Sequence, residues 1–159
     1  MNLGWIGLGI MGAPMCGHLI AAGHAMTVHT RSKVPDAISA AGARSAASAK
    51  AVAEHSEIVF LMLPDTPDVE RVLFGDEGVA AGLKPGTLVV DMSSISPMAT
   101  KDFAARIRAL GGDYLDAPVS GGEVGAKAAS LTIMVGGSEA AFARALPLLQ
   151  RWPTRSSWR

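Results

Sequence analysis

The sequence predicts an α/β fold in which a doubly wound, mostly parallel sheet carries helices on both faces. Apolar runs of strand length alternate with helical patterns along most of the chain. These runs are almost continuously apolar, as is typical of strands buried on both faces. The 159 residues, 49% of them hydrophobic, suffice for one domain with a sizeable core.

The first strand, glycine turn and helix lie between Leu3 and Gly23. Gly7, Gly9 and Gly12 form a GxGxxG pattern directly after an apolar run. In dinucleotide-binding units the first glycine permits the tight turn, the second lets backbone approach a pyrophosphate, and the third allows close helix–strand packing. The helix N-terminus adds N–H groups and a positive dipole end. This context favours a Rossmann-type dinucleotide site over a merely structural turn.

The second strand, Ala25–His29, ends where such units distinguish NAD from NADP. A carboxylate at this position binds the ribose hydroxyls of NAD, whereas an arginine accommodates the 2′-phosphate of NADP. Thr30 occupies the position of the acid and Arg31 follows it, with Ser32 and Lys33 as further donors. These residues favour NADP(H) over NAD(H). The alternative is that Arg31 and Lys33 are solvated loop charges.

The remaining elements continue the alternation. We expect helices over 34–41, 48–55, 68–73, 97–110 and 139–149, and strands over 57–63, 87–90, 114–119 and 131–135. Ligands of open parallel sheets lie beyond the carboxyl ends of the strands, so the Leu63-Pro64 turn is a candidate cofactor wall. Ser93 and Ser94 follow the next strand, where serines either reach a nicotinamide or cap the following helix.

Ser120, Gly121 and Gly122 follow the strand over 114–119. A hydroxyl beside bare backbone N–H groups suits a small carboxylate or oxyanion, and the alternative is a flexible turn. Ser120 has no base partner visible in the sequence, so hydrolysis is only a weak alternative.

Composition excludes several other classes. The formal net charge is zero and the Lys and Arg residues are scattered, which argues against nucleic acid as a partner. The apolar runs are too short to span a membrane and no signal segment is visible, so we expect a cytoplasmic protein with no membrane contact. Cys16 is the single cysteine and is expected to be buried. The four histidines lack metal-ligand spacing, and no metal site is expected.

Five blocks, in order, resemble the β-hydroxyacid dehydrogenase family: GLGIMGAPM at 7–15, MLPDTPDV at 62–69, DMSSISP at 91–97, DAPVSGG at 116–122 and LTIMVGG at 131–137. The resemblance covers Leu3 to about Gln150. It implies an oxidoreductase that moves a hydride between a nicotinamide dinucleotide and a small carboxylate-bearing semialdehyde or 3-hydroxyacid.

The resemblance also implies a set of binding residues. Those for the pyrophosphate would be Gly7, Leu8, Gly9, Ile10, Met11 and Gly12. The residues that bind the adenosine end of the cofactor would be Thr30 and Arg31. The residues that bind its nicotinamide end would be Leu63, Pro64 and Ser94. Those for the substrate carboxylate would be Ser120, Gly121 and Gly122.

The chain departs from the family pattern in two places. His18 stands where the family usually has asparagine. After Gln150 the family continues with another strand, a linking helix that carries the catalytic lysine, and an all-helical domain. Here the chain reads RWPTRSSWR, without apolar periodicity. We therefore expect a nucleotide-binding domain over 1–150 and an unrelated tail over 151–159, from a frameshift, a premature stop or an artificial end.

Two functional hypotheses follow. The first is the cofactor domain of an NADP(H)-dependent semialdehyde reductase, with no catalytic residue assigned because the family lysine has no counterpart here. The second is a non-catalytic nucleotide-binding fragment. Complete relatives are oligomeric by the same resemblance, and we expect the chain as given to self-associate through apolar surface that such a domain would cover.

Overall fold

The computed structural model describes residues 1–158, with side chains described through Trp152. Within this range the elements are β1 (Asn2–Ile6), α1 (Gly12–Ala21), β2 (Ala25–His29), α2 (Asp36–Ala40), β3 (Arg44–Ser45), α3 (Ala49–Glu54), β4 (Ile58–Leu61), α4 (Thr66–Phe74), α5 (Val79–Gly82), β5 (Leu88–Asp91), α6 (Pro97–Ala109), β6 (Asp113–Asp116), β7 (Val119–Ser120), α7 (Gly122–Ala128), β8 (Leu131–Val135), α8 (Glu139–Leu149) and β9 (Pro153–Trp158).

Six strands form one sheet in the order β3-β2-β1-β4-β5-β6, and every neighbouring pair is parallel. The chain winds outward from β1 to β3, then returns to the other side of β1 and winds outward to β6. The carboxyl ends of β1 and β4 therefore border the crevice where the winding reverses, which is where such sheets bind ligands. The predicted doubly wound, Rossmann-type fold is confirmed.

The core lies in two layers, one on each face of this sheet. Every residue of β4 and β5 is buried, which agrees with sequences that are apolar throughout except for Asp91 at the end of β5. On one face, Trp5 of β1 stacks on Phe60 of β4 with ring centroids 5.3 Å apart. Trp152 meets both rings edge-on, so three aromatic side chains fix the centre of this layer.

The predicted strand over 114–119 is divided in the structure. β6 ends at Asp116, and Val119 and Ser120 form β7 in a second sheet of order β7-β8-β9. β7 pairs antiparallel with β8. Pro118 lies between the two parts and has no N–H to donate to a ladder, which explains why the strand does not continue in the first sheet.

After Gln150, where the sequence has no apolar periodicity, the structure describes a regular element. Pro153–Trp158 forms β9, which pairs in parallel with β8. Trp152 is fully buried beneath α1, where its Nε1 donates to the carbonyl oxygen of Met15 at 2.8 Å. Backbone pairing with the open edge of β8 needs no apolar alternation, so periodicity gave no signal for this strand.

Besides β9, three other short elements were not predicted, namely β3, α5 and α7, each of seven residues or fewer. Ser48 and Ser138 cap α3 and α8, where their hydroxyl oxygens accept from the N–H groups of Ala51 and Ala141. Within the described residues, no helix is long and apolar enough to cross a membrane.

Candidate functional site

A cleft of about 730 Å³ opens at the carboxyl ends of β1, β2 and β4. Its volume lies within the range of small-molecule and cofactor sites. Ten of the residues predicted to hold the cofactor line it together: Gly7, Leu8, Gly9, Ile10, Met11, Gly12, Thr30, Arg31, Leu63 and Pro64. The structure thus brings to one wall segments that follow three different strands.

The three loop glycines differ in what surrounds them. Gly7 has φ +103°, and a Cβ there would overlap the carbonyl oxygen of Met62. A Cβ on Gly12 would overlap the carbonyl oxygen of Gly7. A Cβ on Gly9, by contrast, would have nothing within 4 Å, because this residue faces the open cleft. Gly7 and Gly12 are therefore required by the fold, whereas the space beside Gly9 is available to a ligand that approaches backbone.

The loop leads directly into the N-terminus of α1. No side chain of the described residues caps this end, and no acidic residue lies in its first turn. Trp5 fixes the preceding turn by donating from Nε1 to the carbonyl oxygen of Gly7 at 2.9 Å. The helix thus presents backbone N–H groups and its positive dipole end to the cleft, which suits the two negative charges of a pyrophosphate.

The end of the cleft beside β2 contains Thr30, Arg31 and Ser32. Arg31 is 76% exposed, and its Nη2 lies 3.6 Å from Oδ1 of Asp68 on α4. Arg71, one turn further along α4, pairs with the same carboxylate oxygen at 3.5 Å. Sequence reasoning missed Asp68 and Arg71, because only the crossing of α4 over the cleft brings them to the loop after β2.

Lys33 does not join this group. Its ammonium pairs with Asp36 at 3.2 Å on the exposed start of α2, and it is absent from the described lining of the cleft. The alternative of a solvated loop charge therefore holds for Lys33.

At the other end of the cleft, the walls at Leu63 and Pro64 are tied to the end of β5. The backbone N–H of Leu63 donates to Oγ of Ser93 at 2.9 Å. Ser94, predicted for the same half of the cofactor, lines an adjoining groove of about 580 Å³ that also contains Lys101. Neither Ser93 nor Ser94 caps α6, because Ser96 accepts from Ala99 in that role.

A buried carboxyl group lies directly behind these walls. Asp91 is fully buried at the end of β5 and accepts hydrogen bonds from the Tyr114 hydroxyl at 2.5 Å and the Ser93 N–H at 3.0 Å. Burial raises the pKa of Asp91 to about 6, although the hydrogen bonds from Tyr114 and Ser93 act in the opposite direction. Burial and the neighbouring Asp91 also raise the pKa of Tyr114. Sequence reasoning assigned Asp91 no role.

The predicted carboxylate site is separate from the cleft. Ser120, Gly121 and Gly122 are exposed at the end of β7 and the start of α7. Gly121 has φ +135° and Gly122 has φ +58°, conformations that favour glycine. Ser120 pairs with Thr132 of β8 and is the last residue of β7.

The remaining candidate groups are structural. Nε2 of His18 lies 2.9 Å from the carbonyl oxygen of Ala126, and this contact joins α1 to α7. Cys16 is buried as expected, and burial raises the pKa of its thiol to about 12. Among the residues that the structure describes, no group of three or more His, Cys, Asp or Glu side chains could hold a metal ion.

Comparison with known proteins identifies the family. Residues 2–158 match the NAD binding domain of 6-phosphogluconate dehydrogenase. The chain is 55% identical to the 2-hydroxy-3-oxopropionate reductase of Escherichia coli K12 over 150 residues, which cover 94% of this chain and 51% of that enzyme. The chain thus spans about half the length of that relative.

Solved structures agree with the sequence comparison. A Mycobacterium tuberculosis 3-hydroxyisobutyrate dehydrogenase with L-serine superposes with TM-score 0.89 at 37% identity, over 99% of this chain and 53% of that one. A complex described as Psf3 with NADP⁺ and 2-OPP superposes with TM-score 0.91 at 31% identity, over 99% and 56%. The chain therefore belongs to the β-hydroxyacid dehydrogenases, a family of oxidoreductases that share the NAD-binding domain of 6-phosphogluconate dehydrogenase.

Proposed function

We propose that the chain is the cofactor domain of an NADP(H)-dependent reductase of small carboxylate-bearing semialdehydes, of the tartronate semialdehyde (2-hydroxy-3-oxopropionate) reductase type. The observation that carries this proposal is the cleft itself. A loop with open space beside Gly9, an uncapped helix N-terminus and Arg31 after β2 lie on one wall. This arrangement fits a dinucleotide with a 2′-phosphate.

Each part of the cleft would bind one part of the cofactor. Backbone N–H groups of the loop from Gly7 to Gly12 would hold the pyrophosphate, and Arg31 would hold the 2′-phosphate with Thr30 beside it. Leu63 and Pro64 would form the wall for the nicotinamide, with Ser94 in the adjoining groove. When bound, the dinucleotide supplies or accepts the hydride at nicotinamide C4.

Ser120, Gly121 and Gly122 would bind the carboxylate of the substrate. Their support is an exposed hydroxyl beside two glycines with positive φ, at the edge of the second sheet. A small carboxylate needs such convergent donors to hold its carbonyl group in a fixed orientation. The semialdehyde substrate rests on similarity to the Escherichia coli reductase, and 3-hydroxyisobutyrate or another semialdehyde of the same family is the alternative.

Binding without turnover is the second candidate function. No lysine of the described chain lines the cleft, although the family uses a lysine as general acid. A nucleotide-binding fragment would share the whole cleft geometry and would differ only in the absence of semialdehyde reduction.

The test of cofactor choice is a fluorescence titration of NADPH and NADH. Thr30→Asp with Arg31→Ala installs a carboxylate and removes the guanidinium, so the preference for NADPH is expected to fall about tenfold. Lys33→Ala is the matched control, because that ammonium pairs with Asp36 outside the cleft. An unchanged ratio of dissociation constants in the double variant would contradict the assignment of NADP(H).

A further inference from the structure

We infer that Ser93 and Asp91 are positioning residues for the nicotinamide half of the cofactor, acting through the backbone of Leu63. This inference rests on the proposed function, since it assumes that a nicotinamide dinucleotide occupies the cleft. It assigns a role to two buried polar residues that do not line the cleft, of which Ser93 borders the adjoining groove.

The connection runs through three hydrogen bonds in series. Tyr114 on β6 donates to one oxygen of the Asp91 carboxylate, and the Ser93 N–H donates to the other. The hydroxyl of Ser93 then accepts from the backbone N–H of Leu63. A residue of β6 is thereby linked, across the ends of β5 and β4, to the wall of the cleft.

Burial makes this chain of contacts rigid. Asp91 and Ser93 have no exposed surface and Tyr114 is 1% exposed, so water does not compete for their donors and acceptors. Both carboxylate oxygens are used, and no buried side-chain polar atom in the described chain lacks a partner. A fully satisfied buried network favours a single arrangement of the segments that it joins.

The position of Leu63 gives this rigidity a functional consequence. β4 ends at Leu61, so Leu63 lies beyond the last ladder bond of the sheet, where Met62 donates to the carbonyl oxygen of Ile6. The next backbone N–H along the chain, that of Leu63, donates to the side chain of Ser93. Without its hydroxyl, the Leu63-Pro64 segment would lose its attachment to β5 and the nicotinamide wall would be less well ordered.

Few charged groups of the described chain act on Asp91. Asp116 on β6 is the other acidic group that acts on it, and it raises the pKa of Asp91 further. Measurements at pH 8 keep Asp91 as a carboxylate, the form that accepts both hydrogen bonds.

The decisive experiment compares two ligands in one variant. NADPH occupies the whole cleft, whereas adenosine 2′,5′-bisphosphate occupies only the adenosine end. Ser93→Ala is expected to weaken NADPH about three- to tenfold, the value of one neutral hydrogen bond, and to leave the bisphosphate unchanged. Asp91→Asn should act in the same direction, because it weakens the acceptor that holds the Ser93 N–H.

Ser56→Ala is the matched control. Ser56 is also a buried serine whose hydroxyl makes one backbone hydrogen bond, to Val52, but it lies at the opposite end of β4. Both serine variants are expected to lose comparable thermal stability, and only Ser93→Ala should lose NADPH affinity.

Three results would contradict the inference. If the Ser93→Ala variant binds NADPH as tightly as the wild type, Leu63 is positioned without the Ser93 hydroxyl. An equal loss of NADPH and bisphosphate would indicate a general structural effect. Wild-type protein that binds neither ligand would contradict the proposed function, and this inference with it, whereas the first two results leave the proposed function intact.

Discussion

Gly9 and Gly12 belong to one loop but are expected to respond to substitution in opposite ways. Gly9→Val places its methyl groups in open space over the cleft, so the domain should fold with near wild-type stability and lose dinucleotide binding. Gly12→Ala drives a Cβ into the backbone of Gly7 and should cost about 1–3 kcal/mol or more in folding free energy. Urea unfolding and NADPH titration of both variants test this, and NADPH binding by Gly9→Val would place the cofactor elsewhere.

Asp91 is expected to make folding stability depend on pH. Its folded-state pKa of about 6 lies above the ordinary value of 3.8, so ionisation is harder in the folded protein than in the unfolded one. Its contribution to stability is therefore fully present below about pH 4 and is lost as the pH rises towards and through 6. The loss amounts to about 3 kcal/mol.

Asp91→Asn removes this titration. The free energy of unfolding of the variant, relative to the wild type, should rise by about 3 kcal/mol between about pH 4 and pH 7.5. Urea denaturation at a series of pH values measures this difference. Asp113→Asn, at the start of the neighbouring strand β6, is a useful control because the pKa of Asp113 is shifted downward and the sign of its pH dependence is the reverse. A flat difference for Asp91→Asn would show that this carboxyl titrates normally.

At the level of single residues, the sequence predicted those whose role follows from local pattern. Gly7, Gly9 and Gly12 were identified because glycine spacing encodes a turn, and Arg31 because its position follows a strand. Asp68 and Asp91 were not, since the contacts that connect them to other segments, with Arg31 and Tyr114, join positions 23 or more apart along the chain. Tertiary contacts at such separations leave no periodic signal in one sequence.

Among the elements, the predictions were most accurate where apolar runs were long and helix caps were local. β2 and β8 have the predicted bounds, and α3 and α8 begin within one residue of their predicted starts, each after a serine cap. Elements held by pairing alone were missed, including the two-residue β3 and the terminal β9. Their stability comes from a neighbouring strand rather than from their own composition.

The terminal strand leads to a prediction for Trp152. Trp152→Ala removes a fully buried side chain that contacts Trp5 and Phe60 and bonds Met15, so it should cost about 3–5 kcal/mol in unfolding free energy. Arg151→Ala is the matched control, because the neighbouring side chain is exposed and should change stability by less than about 0.5 kcal/mol. Equal urea midpoints for both variants would contradict the packing of Trp152 beneath α1.

On the scale of the whole molecule, the cleft and the segment from Ser120 to Gly122 both lie at the surface of one chain. Ile10, Met98 and Val124 are large apolar side chains that are mostly exposed, at the starts of α1, α6 and α7 or just before them. Exposed apolar side chains at this edge are consistent with a surface that other protein covers. Self-association of the chain as given stays a prediction.

The last prediction concerns turnover by the 159-residue chain. We expect it to bind NADPH but to reduce tartronate semialdehyde at least about 100-fold more slowly than a version extended with the C-terminal half of a relative. A positioned general acid contributes roughly 10² to 10⁴ in rate, and no lysine of the described chain lines the cleft. A steady-state assay of both proteins measures the difference, with Gly9→Val in the extended protein as the control for cofactor-dependent turnover. Comparable rates would place the general acid within these residues, and Lys101, in the groove beside Ser94, would be the first side chain to replace.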